Sequence, residues 1–289
     1  MKVSAAIVIA ACMLTGSAAL RPGVVSTMAG DCLETVPYPA TVSSVAPQSR
    51  KTGVIEGRVR VDGPVPANPI IRMGADPMCS RMYSGKRAVQ EIVIRSADGG
   101  LANAYVDLQG KFPAARAPAG SVTLDQRGCL YAPRVLGAQV GQTLRVTNSD
   151  PVLHNVHSLS AAGNAFNVSQ PQAGMVYAIT LGHPDAIMRI KCDVHSWMTA
   201  YVGVDPHPYF AVTGANGAFT IAGVPPGRYS IRGWHERYGQ LTQAVTVKAG
   251  QTTTIGLGYT GHERPAAARI QDLTLPEDVT AVAFIMPLR

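Results

Sequence analysis

The sequence predicts an all-β protein. Short runs of Val, Ile, Leu and Thr alternate with clusters of Gly, Pro, Asn and Asp, and no long segment spaces its apolar residues at the helical period. The chain has 289 residues, and only 15% of them are charged, which excludes disorder of the highly charged, weakly hydrophobic kind. This length is natural for two domains.

The chain begins with the pattern of a secretory signal, MKVSAAIVIAACMLTGSAAL. Lys2 precedes an apolar run over residues 3–14, and small residues then fit a cleavage site after position 19. That run is too short to span a bilayer, and no later segment reaches the necessary length, so no transmembrane segment is expected. The predicted location is periplasmic or secreted. The alternative is a lipid anchor at Cys12, because IAAC resembles a bacterial lipobox.

The charge of the chain is moderately basic. The formal net charge of +7 falls to +6 if Lys2 is removed with the signal. Basic residues are spread along the chain and form no run with interleaved aromatics, so we expect no nucleic-acid partner. A basic surface would help to dock an acidic redox partner.

Three groups of strand patterns follow one another. In the first, GVIEGRVRV at residues 53–61 alternates as a half-buried strand does, and two short strands are expected around the turn at residues 98–100. The second group follows a Pro- and Ala-rich break at residues 112–120 and contains five β-patterned stretches. The third begins near Tyr209 and has turns at GANG and VPPG.

The first and third groups carry a family pattern. AVTGANGAFTIAGVPPGRYSI matches T-x-x-x-G-x-F-x-I-x-x-x-P-P-G-x-Y at Thr213, Gly217, Phe219, Ile221, Pro225, Pro226, Gly227 and Tyr229. This stretch, with GVIEGRVRV and LANAYVDL, resembles the carboxypeptidase regulatory-like (transthyretin-like) β-sandwich. The resemblance covers residues 53–111 and 208–260, and implies an Ig/transthyretin-like sandwich interrupted by an inserted domain. The alternative is a set of units in series.

The resemblance and the composition divide the chain into six predicted segments. They are a signal peptide (1–19), a linker (20–52), the first half of the regulatory-like sandwich (53–111), an inserted copper domain (112–207), the second half of the sandwich (208–260) and a C-terminal tail with one strand (261–289).

The second group contains the candidate metal ligands. His154 stands in HNVH, and CDVHSWM supplies Cys192, His195 and Met198. A thiolate, two imidazoles and a long axial thioether form the ligand set of blue copper. Cys192 ends a strand and shares the parity of its inward-facing apolar residues, so its sulfur is expected to point into the sandwich. The alternative is a buried thiol that lies near an unrelated histidine and methionine.

These two motifs resemble those of the cupredoxins, with the short His-to-Met spacing of the amicyanin type rather than the longer one of plastocyanins. The resemblance implies a Greek-key sandwich with one type 1 copper bound by His154, Cys192, His195 and Met198. It also implies that the Asn155 backbone N–H steadies the thiolate, and that His157 is a neighbour and not a ligand. Over most of its length the chain resembles plastocyanin-like and methylamine-utilisation proteins that carry such sets on regulatory-like sandwiches.

The sequence departs from the cupredoxin pattern in the ligand loop. Asp193 and Val194 replace a small residue followed by proline, and Ser196 stands where the amicyanins have proline. These changes bear on the stiffness of the loop and therefore on the reduction potential.

The other cysteines predict a disulfide. Cys79 and Cys129 lie outside the ligand pattern, and an exported chain would oxidise them. Closing a loop of about 50 residues would stabilise the fold by about 4 kcal/mol in chain-entropy models. Cys32 is left over, and a bond between Cys32 and Cys192 is the alternative that would abolish the copper site.

The predicted function is electron transfer and not catalysis. The sequence has no nucleophile framework, phosphate loop or haem motif, and a metal with four protein ligands has no open position for a substrate. We expect single electrons to pass to redox proteins such as a c-type cytochrome or a quinoprotein dehydrogenase. The exposed edge of His195 would serve as the electron port, within a docking patch of Val152, Trp197 and Met198. The alternative is a non-redox copper carrier, or a cell-envelope binding module with a vestigial site.

Overall fold

The computed structural model describes residues 51–265, except residues 85 and 114. The predicted signal peptide, the lipid anchor, all but the last two residues of the predicted linker, and the strand of the C-terminal tail therefore lie outside the described residues. Strands dominate the described part, and the all-β prediction is confirmed. Its helices are a 3-10 turn, Met73–Ala75, and α1, Pro77–Met82. No helix in residues 51–265 is long and apolar enough to cross a membrane.

The described strands are numbered in chain order: β1 Gly53–Val61, β2 Tyr105–Gln109, β3 Val122–Gln126, β4 Tyr131–Ala132, β5 Val135–Gln139, β6 Thr143–Asn148, β7 His154–Ser158, β8 Phe166–Gln170, β9 Val176–Thr180, β10 Asp185–Lys191, β11 Thr199–Asp205, β12 Phe210–Val212, β13 Ala218–Val224, β14 Gly227–His235, β15 Gly239–Val247 and β16 Thr252–Tyr259.

Seven of these strands, from the two ends of the described chain, form the first sandwich. One sheet has the order β13-β1-β16 and the other β12-β2-β14-β15. Alternate residues of β1, including Ile55 and Val59, are fully buried and pack with Ile231 of the opposing sheet. The charged residues between them face outward, as the period-2 pattern of the sequence requires.

The nine strands between residues 122 and 205 form the second sandwich. Its sheets have the orders β5-β11-β10-β7-β8 and β4-β3-β6-β9. Leu124 and Leu144 from the smaller sheet share one core with Met188, Ile190 and Val202 from the larger.

The sequence analysis was incomplete in several places. Of the two strands expected around the turn at residues 98–100, only β2 forms, and residues 91–95 contribute an isolated bridge between Arg95 and Leu101. Strands β5, β7 and β8 and the helix α1 were not predicted.

Two features of this fold define the candidate site. Strands β7 and β10 are antiparallel neighbours, and Lys191 faces His157, so the start of β7 and the end of β10 lie at the same pole of the second sandwich. A segment that we call the cap, residues 70–83, adds Ile71, Met73 and Cys79 to the core of that sandwich.

Candidate metal centre

Three of the predicted ligands converge at this pole. The Nδ1 atoms of His154 and His195 are 3.1 Å apart, and Cys192 Sγ lies 3.8 Å from His195 Nδ1. Donor atoms of all three residues lie within 4.8 Å of one another. His154, His195 and Cys192 are 0%, 1% and 2% exposed, so bulk water does not reach their donor atoms to form hydrogen bonds.

The loop between the ligands is closed by its own backbone. Met198 N–H donates to the His195 carbonyl at 2.9 Å, and Cys192 N–H donates to the Met198 carbonyl at 3.2 Å. Met198 is fully buried and belongs to the same core cluster as Cys192. The loop is therefore a compact turn that brings the fourth predicted ligand back to the end of β10.

Backbone donors surround the sulfur of Cys192. The N–H groups of Asn155 and His195 each donate to Sγ at 3.4 Å, and the first is the contact that the cupredoxin resemblance implied. Burial opposes ionisation of the thiol, but hydrogen bonds from His154 and from the backbone outweigh it, and the pKa of Cys192 lies below its usual value. These hydrogen bonds therefore make the thiol easier to ionise than a free cysteine, and the thiolate is the form that binds metals.

The Nε2 atom of each histidine lies within hydrogen-bonding distance of a carboxylate, to which its N–H can donate. Asp150 Oδ2 lies 2.9 Å from His154 Nε2, and Asp76 Oδ2 lies 2.9 Å from His195 Nε2. When Nε2 carries the donated proton, the lone pair of a neutral imidazole is left on Nδ1. Such carboxylate–histidine pairs fix the tautomer and orientation of metal-binding histidines. The sequence analysis assigned no role to either aspartate.

Asp150 is itself anchored by a strained loop. Its two carboxylate oxygens accept from the N–H groups of Gly128 at 2.7 Å and Cys129 at 2.8 Å. Cys129 has a φ of +56°, a left-handed conformation that is uncommon outside glycine. Burial raises the pKa of Asp150, but these donors and His154 more than offset it, so the pKa is lowered and the carboxylate stays ionised.

The cap covers the site. Asp76 accepts from the first N–H groups of α1, those of Met78 and Cys79, while its other oxygen reaches His195. Its pKa is lowered, chiefly by the hydrogen bond with His195. The sulfur of Cys79 lies 3.5 Å from His195 Nε2.

The predicted electron port is therefore wrong. His195 was expected to present an exposed edge, but it is only 1% exposed, because Asp76 and Cys79 lie against it. Met198 and Val152 are buried as well. Trp197 is only partly exposed and donates its indole N–H to the carbonyl of Cys129 at 2.9 Å.

His157 lies outside the ligand cluster. It is partly exposed, and its Nδ1 lies 3.0 Å from a carboxylate oxygen of Asp193. Asp193 also accepts from Lys191 at 2.8 Å, and its N–H donates to the side chain of Asn155 at 2.9 Å. The ion pair with Lys191 and the bond to His157 lower the pKa of Asp193 to about 2. This network, in place of a proline, ties the loop to β7.

Cys79 and Cys129 are joined by a disulfide that binds the cap to the loop before β4. Their Cα atoms are 5.7 Å apart. Cys192 forms no disulfide within residues 51–265. Cys32, the alternative partner of Cys192, lies outside the described residues.

The donor set fits a copper ion. Bonds of about 2.0–2.3 Å in a trigonal arrangement separate the donor atoms by roughly 3.5–4 Å. The observed separations of 3.1 and 3.8 Å are close to this. Two imidazole nitrogens and a cysteine sulfur that converge in a buried space form a donor set that could hold a metal ion.

Comparisons with known proteins agree with this architecture only in part. The profile of the carboxypeptidase regulatory-like domain matches residues 200–257, about a fifth of the chain. No curated protein matches. Among solved structures, the chain is similar to a Cu-containing nitrite reductase from Thermus scotoductus SA-01, with 24% identity, a TM-score of 0.28, 33% of this chain covered and 25% of that one.

Two smaller proteins are matched over nearly their whole length. A purple cupredoxin from Nitrosopumilus maritimus has 23% identity and a TM-score of 0.26, with 29% of this chain and 100% of that one covered. A variant of amicyanin in the Cu(I) state has 21% identity and a TM-score of 0.27, with 35% and 98% covered. The chain thus contains a regulatory-like domain match and is similar, over about a third of its length, to cupredoxins.

Proposed function

We propose that this chain binds one copper ion through His154, Cys192, His195 and Met198 and carries single electrons outside the cytoplasm. The observation that carries the proposal is the convergence of two Nδ1 atoms and one sulfur in a buried space. In the first sandwich, by contrast, the buried carboxylate of Asp107 faces the counter-charge of Arg232. At the proposed copper site the donor atoms face each other.

The chain supplies a rigid, electron-rich ligand set. Asp150 and Asp76 hold the outer nitrogens of the two histidines, so that both rings present Nδ1 inward. The Asn155 and His195 N–H groups hold the sulfur of Cys192. Copper, when bound, would alternate between Cu(I) and Cu(II), and a preformed ligand set keeps the rearrangement between those states small.

The same enclosure argues against substrate chemistry. A metal that acts on a substrate needs an open coordination position. All four proposed ligands are buried, and the cap covers the face of His195. The proposed role is therefore that of a carrier and not of an enzyme.

We propose that electrons leave beside the loop and not through His195. Leu153 and Val194 directly adjoin His154 and His195 in sequence and are 43% and 48% exposed. They lie on segments joined by the bond from Asp193 N–H to Asn155. An apolar pair of this kind suits a transient partner, such as a c-type cytochrome or a quinoprotein dehydrogenase of a methylamine-utilisation pathway.

A copper titration tests the proposal. Cu(II) added to the purified protein should produce an intense visible band, the thiolate-to-copper charge transfer of a type 1 site. The band should reach its full intensity at one copper ion per chain. Cys192→Ser should abolish the band, whereas His157→Gln, at the neighbouring non-ligand histidine, should keep it. A colourless product with the unmodified chain, or equal bands in both variants, would contradict the ligand assignment.

A second function, non-redox copper delivery, is favoured by the burial of His195 beneath the cap. A storage or delivery site gains from enclosure, whereas an electron carrier needs a short path to its partner. Voltammetry separates the two. A reversible one-electron wave supports electron transfer as the function. Release of copper to a chelating acceptor without such a wave supports copper delivery.

A further inference from the structure

A second group of potential metal ligands lies directly outside the proposed copper site. Cys79 and Cys129 are both fully buried. Donor atoms of Asp76, Cys79 and His195 lie within 4.8 Å of one another, and so do those of Cys129, Asp150 and His154. The disulfide therefore lies between the outer faces of the two histidines that are proposed as ligands.

We infer that Cys79 and Cys129, once reduced, form a separate Cu(I) site at the entrance to the proposed copper centre. The biological role of this site rests on the proposed function. The geometric evidence for it is the position of the Cys79–Cys129 disulfide. Thiolates are the ligands that select Cu(I) over harder cations. Side chains with Cα atoms 5.7 Å apart can hold one ion between two sulfurs.

His195 connects the two sites. Its Nδ1 faces Cys192 at 3.8 Å, while its Nε2 faces Cys79 at 3.5 Å. A Cu(I) ion on the two outer thiolates could take His195 Nε2 as a third ligand once the proton that Nε2 shares with Asp76 has passed to that carboxylate. The same ring could then bind the ion through Nδ1 after transfer inward, so that the ion would not have to leave the protein between the two positions.

The redox step is a thiol–disulfide exchange. A dithiol reductant gives up two electrons and two protons and becomes a disulfide, while the Cys79–Cys129 bond breaks and two thiols form. Each thiol loses its proton when Cu(I) binds. No electron passes to or from the copper in this step. In the oxidised protein this outer site does not exist, so the disulfide controls when the outer site can accept Cu(I).

Opening of the cap would expose Cys79, the member of the disulfide that lies on α1. Helix α1 has six residues, of which Cys79 is buried, while Met78 is 41% exposed. Short elements with few buried contacts open locally at a free energy far below that of global unfolding. The second sandwich can therefore stay folded while a reductant reaches the sulfur atoms.

The test uses full-length protein with Cys12→Ser, Cys32→Ser and Cys192→Ser, so that the disulfide cysteines are the only thiols. The protein is reduced with a phosphine, and the phosphine is then removed in the absence of oxygen. The reduced protein is titrated with Cu(I) in competition with a chromogenic Cu(I) chelator. We expect one Cu(I) per chain in the reduced form and none in the oxidised form. Adding Cys79→Ser should weaken binding at least about 10-fold.

The thermal midpoint of the same samples shows whether the site belongs to the folded protein. Cu(I) should raise the midpoint of the reduced protein and leave that of the oxidised protein unchanged. Equal binding by oxidised and reduced protein, no binding by either, or loss of the fold on reduction would each overturn the inference. Because Cys192 is absent, these outcomes are independent of the visible band that tests the proposed function.

Discussion

The two sandwiches bury polar side chains in opposite ways. In the first, the carboxylate of Asp107 accepts two hydrogen bonds from Arg232, at 2.8 and 2.9 Å, so that a fully buried charge meets its counter-charge. In the second, the Nδ1 atoms of His154 and His195 and the sulfur of Cys192 point toward each other. The first arrangement is a closed ion pair, whereas the second is a cluster of donor atoms that could hold a cation.

This difference separates structural from functional burial. Breaking a closed ion pair is expected to cost stability and leave metal binding intact. Altering the donor cluster is expected to change metal binding and have less effect on stability. Each prediction below tests one side of that contrast.

The largest effect is expected at Arg232. Arg232→Met leaves the Asp107 carboxylate buried without a cation, which typically costs about 3–5 kcal/mol. Burial already raises the pKa of Asp107, so protonation should recover part of this loss as the pH falls. Denaturant unfolding at pH 8 and pH 4 measures both. The double variant Arg232→Met with Asp107→Leu should be more stable than Arg232→Met alone, and copper binding should be unchanged in each.

At the candidate metal centre, Asp150→Asn should lower copper affinity about 10- to 100-fold, because a neutral amide oxygen accepts the hydrogen bond of His154 Nε2 more weakly than a carboxylate does. Competition with a Cu(II) chelator measures the loss. Asp193→Asn is the matched control, since Asp193 bonds to His157, which is not a proposed ligand. Equal losses in both variants would remove Asp150 from the site.

The sequence predicted the candidate ligands but not the residues that hold them in place. Cys192, His195 and Met198 are close in the chain, and the parity of β10 sets the direction of the sulfur. Asp76, in contrast, is 119 residues from His195, and its contact depends on how the cap folds over the pole. Asp76 precedes Pro77, and an N-cap aspartate followed by proline is a helix-start signal that could have revealed the short helix. The signal does not indicate that the helix packs over the pole.

A smaller, pH-dependent effect is expected where the sandwiches meet. Asp205 accepts from Tyr105, and burial, followed by the charge of Asp107, raises its pKa to about 6. The folded state then holds a proton that the unfolded chain, with a carboxyl pKa of about 3.9, releases. Stability contributed by this group is therefore present below about pH 4 and is lost as the pH rises through about 6.

Asp205→Asn should accordingly raise the free energy of unfolding at pH 8 by about 1–2 kcal/mol and have little effect at pH 4. Thermal or urea unfolding across that range measures the difference. Asp62→Asn, which changes an exposed carboxylate of the first sandwich, should follow the unmodified protein at both ends of the range. A constant offset for Asp205→Asn would contradict the assignment.

The smallest effect is expected on the surface of the first sandwich. Arg58 and Asp98 form an ion pair with an N–O distance of 2.7 Å. Both side chains are more than one-third exposed, at 35% and 59%. Solvent and salt screen such pairs. Arg58→Gln should leave the thermal midpoint essentially unchanged in 1 M salt. A large shift of the midpoint would show that the exposure of an ion pair does not predict how much it contributes to stability.

The fold was easier to predict than the interface. Alternation in β1 and the PPG turn before β14 are local signals. The close approach of the sandwiches is not, because it depends on Gly203, where a Cβ atom would meet the Tyr105 ring at 2.2 Å. Nothing within the β11 sequence indicates which aromatic residue fills that space.

The pairing of β1 with β16 has a consequence for the order of folding. Val54 faces Thr252 across that pair, so the first sandwich cannot close until almost the whole described chain has been synthesised. Strands β3 to β11 and the cap all precede residue 206. We therefore expect the pole with the proposed metal ligands to be able to fold as the chain emerges, before the first sandwich closes.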